Sequence, residues 1–410
     1  MSQRVPLIVG GVVAVAAVAL VSAVIVGDGG GPPTASVARA PGNLIAATTV
    51  SGRTAVVLTM GHLDDPSNTF FELFERSATG PSWTLVTPPG VADNGGLVVG
   101  PSPTGLLSAG FLPSADLTFS VMAQSGDGGS SWVPGDIPGT IAPQPDALAT
   151  GPDGQVAAVL ARPSPSVVAA GPALSGWNRL ATTAQLAASV TGCGVDAVTS
   201  VAVTTSGGPV LGVRCAHTDR VGLLVPTTPT AEGRSSTPAA PSAGWTSVGP
   251  VFAGRAPSTT TVLRLQAVGS GVVALAEGSS GGTSDLMGVW GDADTGTTAG
   301  LVRSATLTVP SGWSVRATSV GGGSGQAVTV LLGSDSGPAL RVESVAGPGL
   351  PWVLLTPPPT GSTAVAVIGG GTYAFVPSDS HLAIWGTSSG SPSWVRETEM
   401  TVPIQYGSSD

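Results

Sequence analysis

The residues best suited to acid–base or metal chemistry are three histidines, each close to a carboxylate. His62 is followed by Asp64 and Asp65, His217 by Asp219, and His381 is preceded by Asp379. Imidazole nitrogens together with carboxylate oxygens are donors for zinc, and clustered carboxylates suit calcium. All of these residues fall in predicted loops between the second and third strands of a repeat, as do Asp116, Glu277, Asp285 and Asp335. If the first and last repeats are neighbours in a closed ring, His62, Asp64, Asp65, Asp379 and His381 meet at one rim. That rim is the candidate site for calcium, zinc or a cationic ligand. The plainer reading is that loops are where a chain this apolar puts its polar residues, and no resident cofactor is assigned. No His-Glu-x-x-His or Gly-Lys-Ser/Thr spacing occurs.

The elements that would position these loops are legible in the hydrophobic pattern. Sixty glycines and 36 prolines punctuate runs of Val, Ala, Thr and Leu, as in many short strands joined by turns. Apolar hairpins recur at 43–60, 97–111, 147–160, 198–215, 262–276, 315–332 and 364–376, around turns such as Pro152-Asp153-Gly154. Glycine supplies the positive φ that tight hairpin turns need. Interleaved with them, a polar turn delivers a tryptophan near the start of a strand: Trp83, Trp132, Trp177, Trp245, Trp313, Trp352 and Trp394. Two hairpins per repeat give four strands, and that period predicts an all-β, seven-bladed β-propeller of four-stranded antiparallel blades over 43–400.

One tryptophan turn carries a family resemblance. Ser125-Gly126-Asp127-Gly128-Gly129-Ser130-Ser131-Trp132 matches the Asp-box Ser-x-Asp-x-Gly-x-Thr-Trp, with Ser131 in the Thr position. It resembles the BNR-repeat, sialidase-like propellers. The turns before Trp83 and Trp394 look like versions of it that lack the Asp. The resemblance implies that Ser125, Asp127, Gly129 and Trp132 are structural. Asp127 would accept backbone N–H bonds within its turn, and Trp132 would fill the gap between blades. A sialidase would also need an arginine triad on the sugar carboxylate, a Tyr–Glu pair and an acidic acid/base. Tyr406 lies in the tail, Tyr373 follows an inner turn, and only Arg264 and Arg316 fall on predicted inner strands. No catalytic residue is assigned.

The chain also carries an address. Residues 7–26 are apolar apart from Gly and one Ser, and about 20 such residues span the hydrocarbon core as a helix. Residues 1–27 therefore read as an N-terminal transmembrane signal anchor with Arg4 on the cytoplasmic side, with secretion the outcome if the signal is cleaved. Residues 28–42 read as a flexible linker and 401–410 as a tail. Cys193 precedes an inner strand and Cys215 ends its hairpin partner, so an exported chain could bridge them; two buried thiols are the alternative. All fifteen basic residues are arginines, and the net charge is −9. That balance argues against nucleic acid, which requires basic patches. The expectation is a membrane-anchored extracytoplasmic scaffold with a protein or glycan partner. The alternative is a sialidase-like glycoside hydrolase or lyase on the same propeller.

Overall fold

The computed structural model describes residues 45–403 except 51–52, 62–68, 78–79, 81, 89–96, 103, 112–121, 136–144, 161–164, 228–243, 253–256, 270, 293–299, 322–326, 369 and 388–392. The predicted anchor and linker, most of the tail, and His62, Asp64, Asp65 and Asp116 lie outside the described residues. Among the described residues no helix is long and apolar enough to cross a membrane.

Strands dominate, and they follow one another in sets. The first set is β1 (Ile45–Val50), β2 (Arg53–Gly61), β3 (Thr69–Arg76) and β4 (Trp83–Leu85). Next come β5 (Leu97–Pro101), β6 (Leu107–Phe111), β7 (Met122–Ser125) and β8 (Val133–Gly135), then β9 (Ala147–Thr150), β10 (Val156–Leu160), β11 (Ser166–Ala170) and β12 (Asn178–Thr182). A short helix, α1 (Thr183–Ser189), precedes β13 (Val195–Val203), β14 (Pro209–Cys215), β15 (Leu223–Pro226) and β16 (Trp245–Val248). There follow β17 (Thr259–Val268), β18 (Gly271–Ser280), β19 (Thr283–Gly291), β20 (Leu301–Arg303) and β21 (Leu307–Val309). The last sets are β22 (Trp313–Val320), β23 (Val328–Ser334), β24 (Leu340–Val345) and β25 (Val353–Leu354), and β26 (Ala364–Ile368), β27 (Gly371–Ser378), β28 (His381–Thr387) and β29 (Val395–Thr401).

Within each set, consecutive strands pair antiparallel, except that β20 and β21 both pair with β19. The predicted inner hairpins coincide with β1–β2, β5–β6, β9–β10, β13–β14, β17–β18, β22–β23 and β26–β27. Strands such as β10 and β11 are buried at every position, because each sheet packs a neighbour on both faces. The apolar clusters show this directly. Val57, Leu73 and Val86 pack with Leu97, Leu107 and Ala109 of the next set, and Val159 and Leu180 pack with Val201, Leu211 and Leu224. The inner strands converge on a small axial cavity. Consecutive four-stranded meanders around an axis are the architecture of a β-propeller. Close approach at the axis sets local constraints: a Cβ on Gly100 would lie 2.8 Å from the Ala149 Cα of β9.

Two features differ from the sequence expectation. Separate four-stranded blades were expected, but two pairs of sets are fused into larger sheets. β1 runs parallel to β22 (Ile45↔Ala317 to Thr48↔Val320), and β14 pairs β17 at Arg214↔Thr261 and Cys215↔Thr260. Trp313 opens the inner strand β22 and does not introduce an outer strand. The preceding turn, with Gly312 at φ 76° and the Trp313 N–H donating to Pro310 O (3.1 Å), delivers it between sets. An apolar–turn–Trp pattern fits either kind of connection. The helix α1 also went unpredicted, although it carries a full capping box: Thr182 Oγ1 accepts from Gln185 N and Gln185 Oε1 accepts from Thr182 N.

Cys193 and Cys215 form a disulfide with a Cα–Cα distance of 4.9 Å, and both are buried. Val195 pairs with Cys215, so the bridge fastens the start of β13 to the end of β14. It closes a short loop, and its removal by Cys193→Ala/Cys215→Ala should lower unfolding free energy by about 3 kcal/mol. Denaturant melts of the two proteins, with thiol labelling of the unfolded wild type, measure this.

Candidate functional site

The described part of the predicted rim is built from two hairpin ends. Asp379 sits in the two-residue turn that joins Ser378 to His381, with φ 44°, a left-handed conformation that Asp tolerates. Its carbonyl accepts the Gly61 N–H (3.0 Å), so the end of β2 lies against the turn from β27 to β28. Gly61 directly precedes His62, Asp64 and Asp65, which are outside the described residues. His381 opens β28 and is exposed. His217 and Asp219 share a different loop, after β14. His217 has φ 110° and donates its N–H to Ser258 O (3.2 Å), while Asp219 O accepts from Phe252 N (2.9 Å). Among the described residues no three His, Cys, Asp or Glu side chains gather around a point where a metal could sit.

Two acids expected in loops are on strands. Glu277 is in β18 and Asp285 in β19, because that hairpin continues to a Gly281–Gly282 turn beyond its apolar run. Both are held locally: Ser284 Oγ donates to Glu277, and Thr308 Oγ1 donates to Asp285 Oδ1 at 2.6 Å. Asp335 pairs with Arg316 (3.3 Å), an exposed contact near the start of β22 and just past the end of β23.

The Asp127 turn is a closed hydrogen-bond circuit. Asp127 Oδ1 accepts from Ser125 Oγ (2.8 Å) and Ser131 N (2.8 Å), and Oδ2 accepts from Ser131 Oγ (2.6 Å). Ser125 Oγ accepts the Gly129 N–H at 2.7 Å. These donors, chiefly the Ser131 hydroxyl and amide, hold the Asp127 carboxyl down at about 2. Gly128 leaves room for its neighbours, since a Cβ there would strike Arg53 of the previous set. Arg53 in turn pairs with Glu75 at 3.1 Å. Burial nevertheless raises the Glu75 carboxyl, with Arg53 opposing the rise and Asp127 adding to it.

The tryptophan after this turn reaches backwards. Trp132 Nε1 donates to Val86 O (3.1 Å), just past the last strand of the preceding set. Trp394 donates to Thr356 O (3.3 Å) in the same way, and Trp352 donates to Ala305 O (3.0 Å), between β20 and β21. Trp83 instead packs edge-on against Tyr373 and Phe375, ring centroids 6.4 and 5.0 Å away, and Arg76 stacks over Tyr373 at 4.7 Å. Tyr373, the residue tested above as a nucleophile, is buried in this packing between sets.

Two polar residues stand in unusual surroundings. Glu72 is fully buried, and Thr87 Oγ1 donates to it. Burial raises its carboxyl to about 7, with the Thr87 bond working against the rise. Such a value would suit a general acid, but Glu72 has no accessible surface through which to meet a substrate. Its position could have been read from the sequence: in Thr69–Arg76, period two puts Glu72 on one face with Phe70 and Phe74, both buried. Arg264, on β17, lines the axial cavity, and its Nη2 donates to Thr48 Oγ1 at 3.0 Å.

The sign of the Glu72 effect follows from linkage. Its folded-state value lies above its unfolded one, so its contribution is complete below about pH 4.5 and is lost as pH rises through about 7. Glu72→Gln should flatten that decline, for a gain of up to about 3 kcal/mol at pH 8 and little change at pH 4. Urea melts across pH 4–8 measure it. Trp132→Phe, which strands the Val86 carbonyl, should cost about 1–2 kcal/mol at every pH.

No family model and no curated protein matches this chain. Among solved structures it is similar to a GH74 xyloglucanase from Xanthomonas campestris, with 13% identity and a TM-score of 0.49 over 87% of this chain and 53% of that one. It is similar to a prolyl endopeptidase at 13% identity and a TM-score of 0.45, over 87% of this chain and 49% of that one. It is also similar to YCF48 from Cyanidioschyzon merolae at 16% identity and a TM-score of 0.41, over 84% of this chain and 93% of that one. The chain spans about half the length of the xyloglucanase and the endopeptidase.

Proposed function

We propose that the strand sets are the seven blades of an Asp-box propeller over residues 43–400. Residues 1–27 anchor it in a membrane through the 28–42 linker, and the propeller stands on the extracytoplasmic side as a binding and assembly scaffold. The observation that carries this reading is where the shaped polar environments are used. Asp127, with Arg53 and Glu75 against it, sits at a junction between sets, as do the indole donors of Trp132, Trp352 and Trp394. Glu72 is sealed inside a sheet, and Glu343, also buried, pairs with Arg341. These ionisable groups thus serve rigidity. A rigid ring displaying variable loops is suited to holding a partner. The Cys193–Cys215 bridge supports an oxidising compartment.

On this scaffold the rim of His62, Asp64, Asp65, Asp379 and His381, with His217 and Asp219 on another loop, is the surface to meet a protein or glycan. The test is capture of the tagged full-length chain from solubilised membranes. A near-stoichiometric partner that is lost in Asp64→Asn/Asp65→Asn/Asp379→Asn supports the scaffold. Turnover of glycosides, abolished by substituting two carboxylates at glycosidase separation (about 5–5.5 or 6.5–9.5 Å), would establish the hydrolase instead.

A further inference from the structure

Among the described residues, ion pairs form both at the surface and against buried acids, as in Arg341 with Glu343. Arg214 and Asp196, Arg316 and Asp335, and Arg396 and Glu399 are paired although all are substantially exposed. Arg264 is half-buried on β17, and among the described residues no carboxylate lies within ion-pair distance of it. Loss of hydration alone lowers its guanidinium to about 10, with no neighbouring charge opposing the fall. The group is still cationic at neutral pH. An uncompensated enclosed charge is among the least favourable arrangements in a protein, and the net charge of −9 does not relieve it locally.

The surface that Arg264 retains opens on the axial cavity of about 70 Å³. The walls are the inner strands: Val98 and Gly100 of β5, Ala149 of β9, Val201 of β13, and Leu265 beside Arg264 itself. Among the described residues no other basic residue lines it. Asp146 does, and it is engaged in an interaction of its own. A guanidinium has five N–H donors in a fixed fork. Arg264 spends one on Thr48 Oγ1, and among the described residues no acceptor takes the others. Gln266, two residues along the same strand, is fastened through Nε2 to Thr49 O at 3.0 Å. The two side chains thus hold the rim of the cavity to β1, and Arg264 keeps a donor-rich side toward the cavity.

We propose that the axial cavity binds a small inorganic oxyanion, of phosphate or bicarbonate size, against the Arg264 guanidinium. The fork matches a pair of oxyanion oxygens. The volume accommodates a few waters or one such ion. The site is independent of the rim and of any partner held there.

The test is thermal unfolding of the full-length chain at fixed ionic strength with inorganic phosphate, sulfate or bicarbonate added separately. At least one should raise Tm saturably, by about 3 °C at a hundredfold excess over its Kd. Arg264→Met should abolish the shift, and Arg264→Lys should weaken the affinity about tenfold or more. Gln266→Glu places a carboxylate on the same face of β17 and should remove the response by supplying an internal counter-ion. It keeps the test decisive if Arg264→Met does not fold. Absence of a saturable shift with all three ions, or an undiminished shift in Gln266→Glu and Arg264→Lys, overturns the proposal.

Discussion

The parallel ladder between β1 and β22 is the constraint on which the rest of the arrangement hangs. It joins Ile45–Thr48 to Ala317–Val320 and so ties the first set to the sixth around the axis. Arg264 and Gln266 reach Thr48 and Thr49 because that ladder holds β1 in place. It also demands Gly321: at φ 125°, a Cβ there would meet Thr49 O at 2.4 Å. With β1 and β22 zipped together, the last set packs across their junction. Its Ala364, Ala366, Tyr373 and Phe375 share one core with Ala47, Phe74 and Trp83 of the first set and Ala317 and Leu331 of the sixth. Three sets meet there, whereas each other core joins two.

Local signals in the sequence were sufficient for the hairpins. Pro152-Asp153-Gly154 turns where glycine can take φ 84°, and the apolar runs on either side become β9 and β10. The Asp127 turn was legible for the same reason, since its donors and acceptors all lie within seven residues. What could not be read is set by contacts distant in sequence. Nothing in Ile45–Thr48 marks it as a partner of Ala317–Val320, because a parallel pair leaves no turn between its strands. Trp313 was misplaced because its turn resembles those before outer strands, and only pairing separates the two. Of the candidate site, the contact between the first and last sets was readable from the logic of ring closure, and the Gly61–Asp379 bridge lies at that junction. The isolation of Arg264 was not, since it depends on which acids fail to reach the axis.

The tryptophan donors give the ring a direction. Trp132, Trp352 and Trp394 each reach back to a carbonyl of the set before. A set is therefore finished only when its successor has formed. Its last strand is short, and exposed valines at the outer edges, Val133, Val302 and Val353, show how little else covers those strands. Shared hydrogen bonds of this kind make neighbouring sets cooperate, so loosening one weakens the next.

The β1–β22 ladder has a further consequence for how the molecule comes into being. As the chain is made from its N-terminus, β1 and β2 can pair at once, but the other edge of β1 waits until most of the chain has been synthesised. Throughout that interval an apolar strand offers a free row of N–H and C=O groups, the feature that promotes wrong strand pairing between molecules. Contacts so remote in sequence also form slowly. The ladder that ties the first set to the sixth thus becomes available only late, and the newborn chain is vulnerable until it forms.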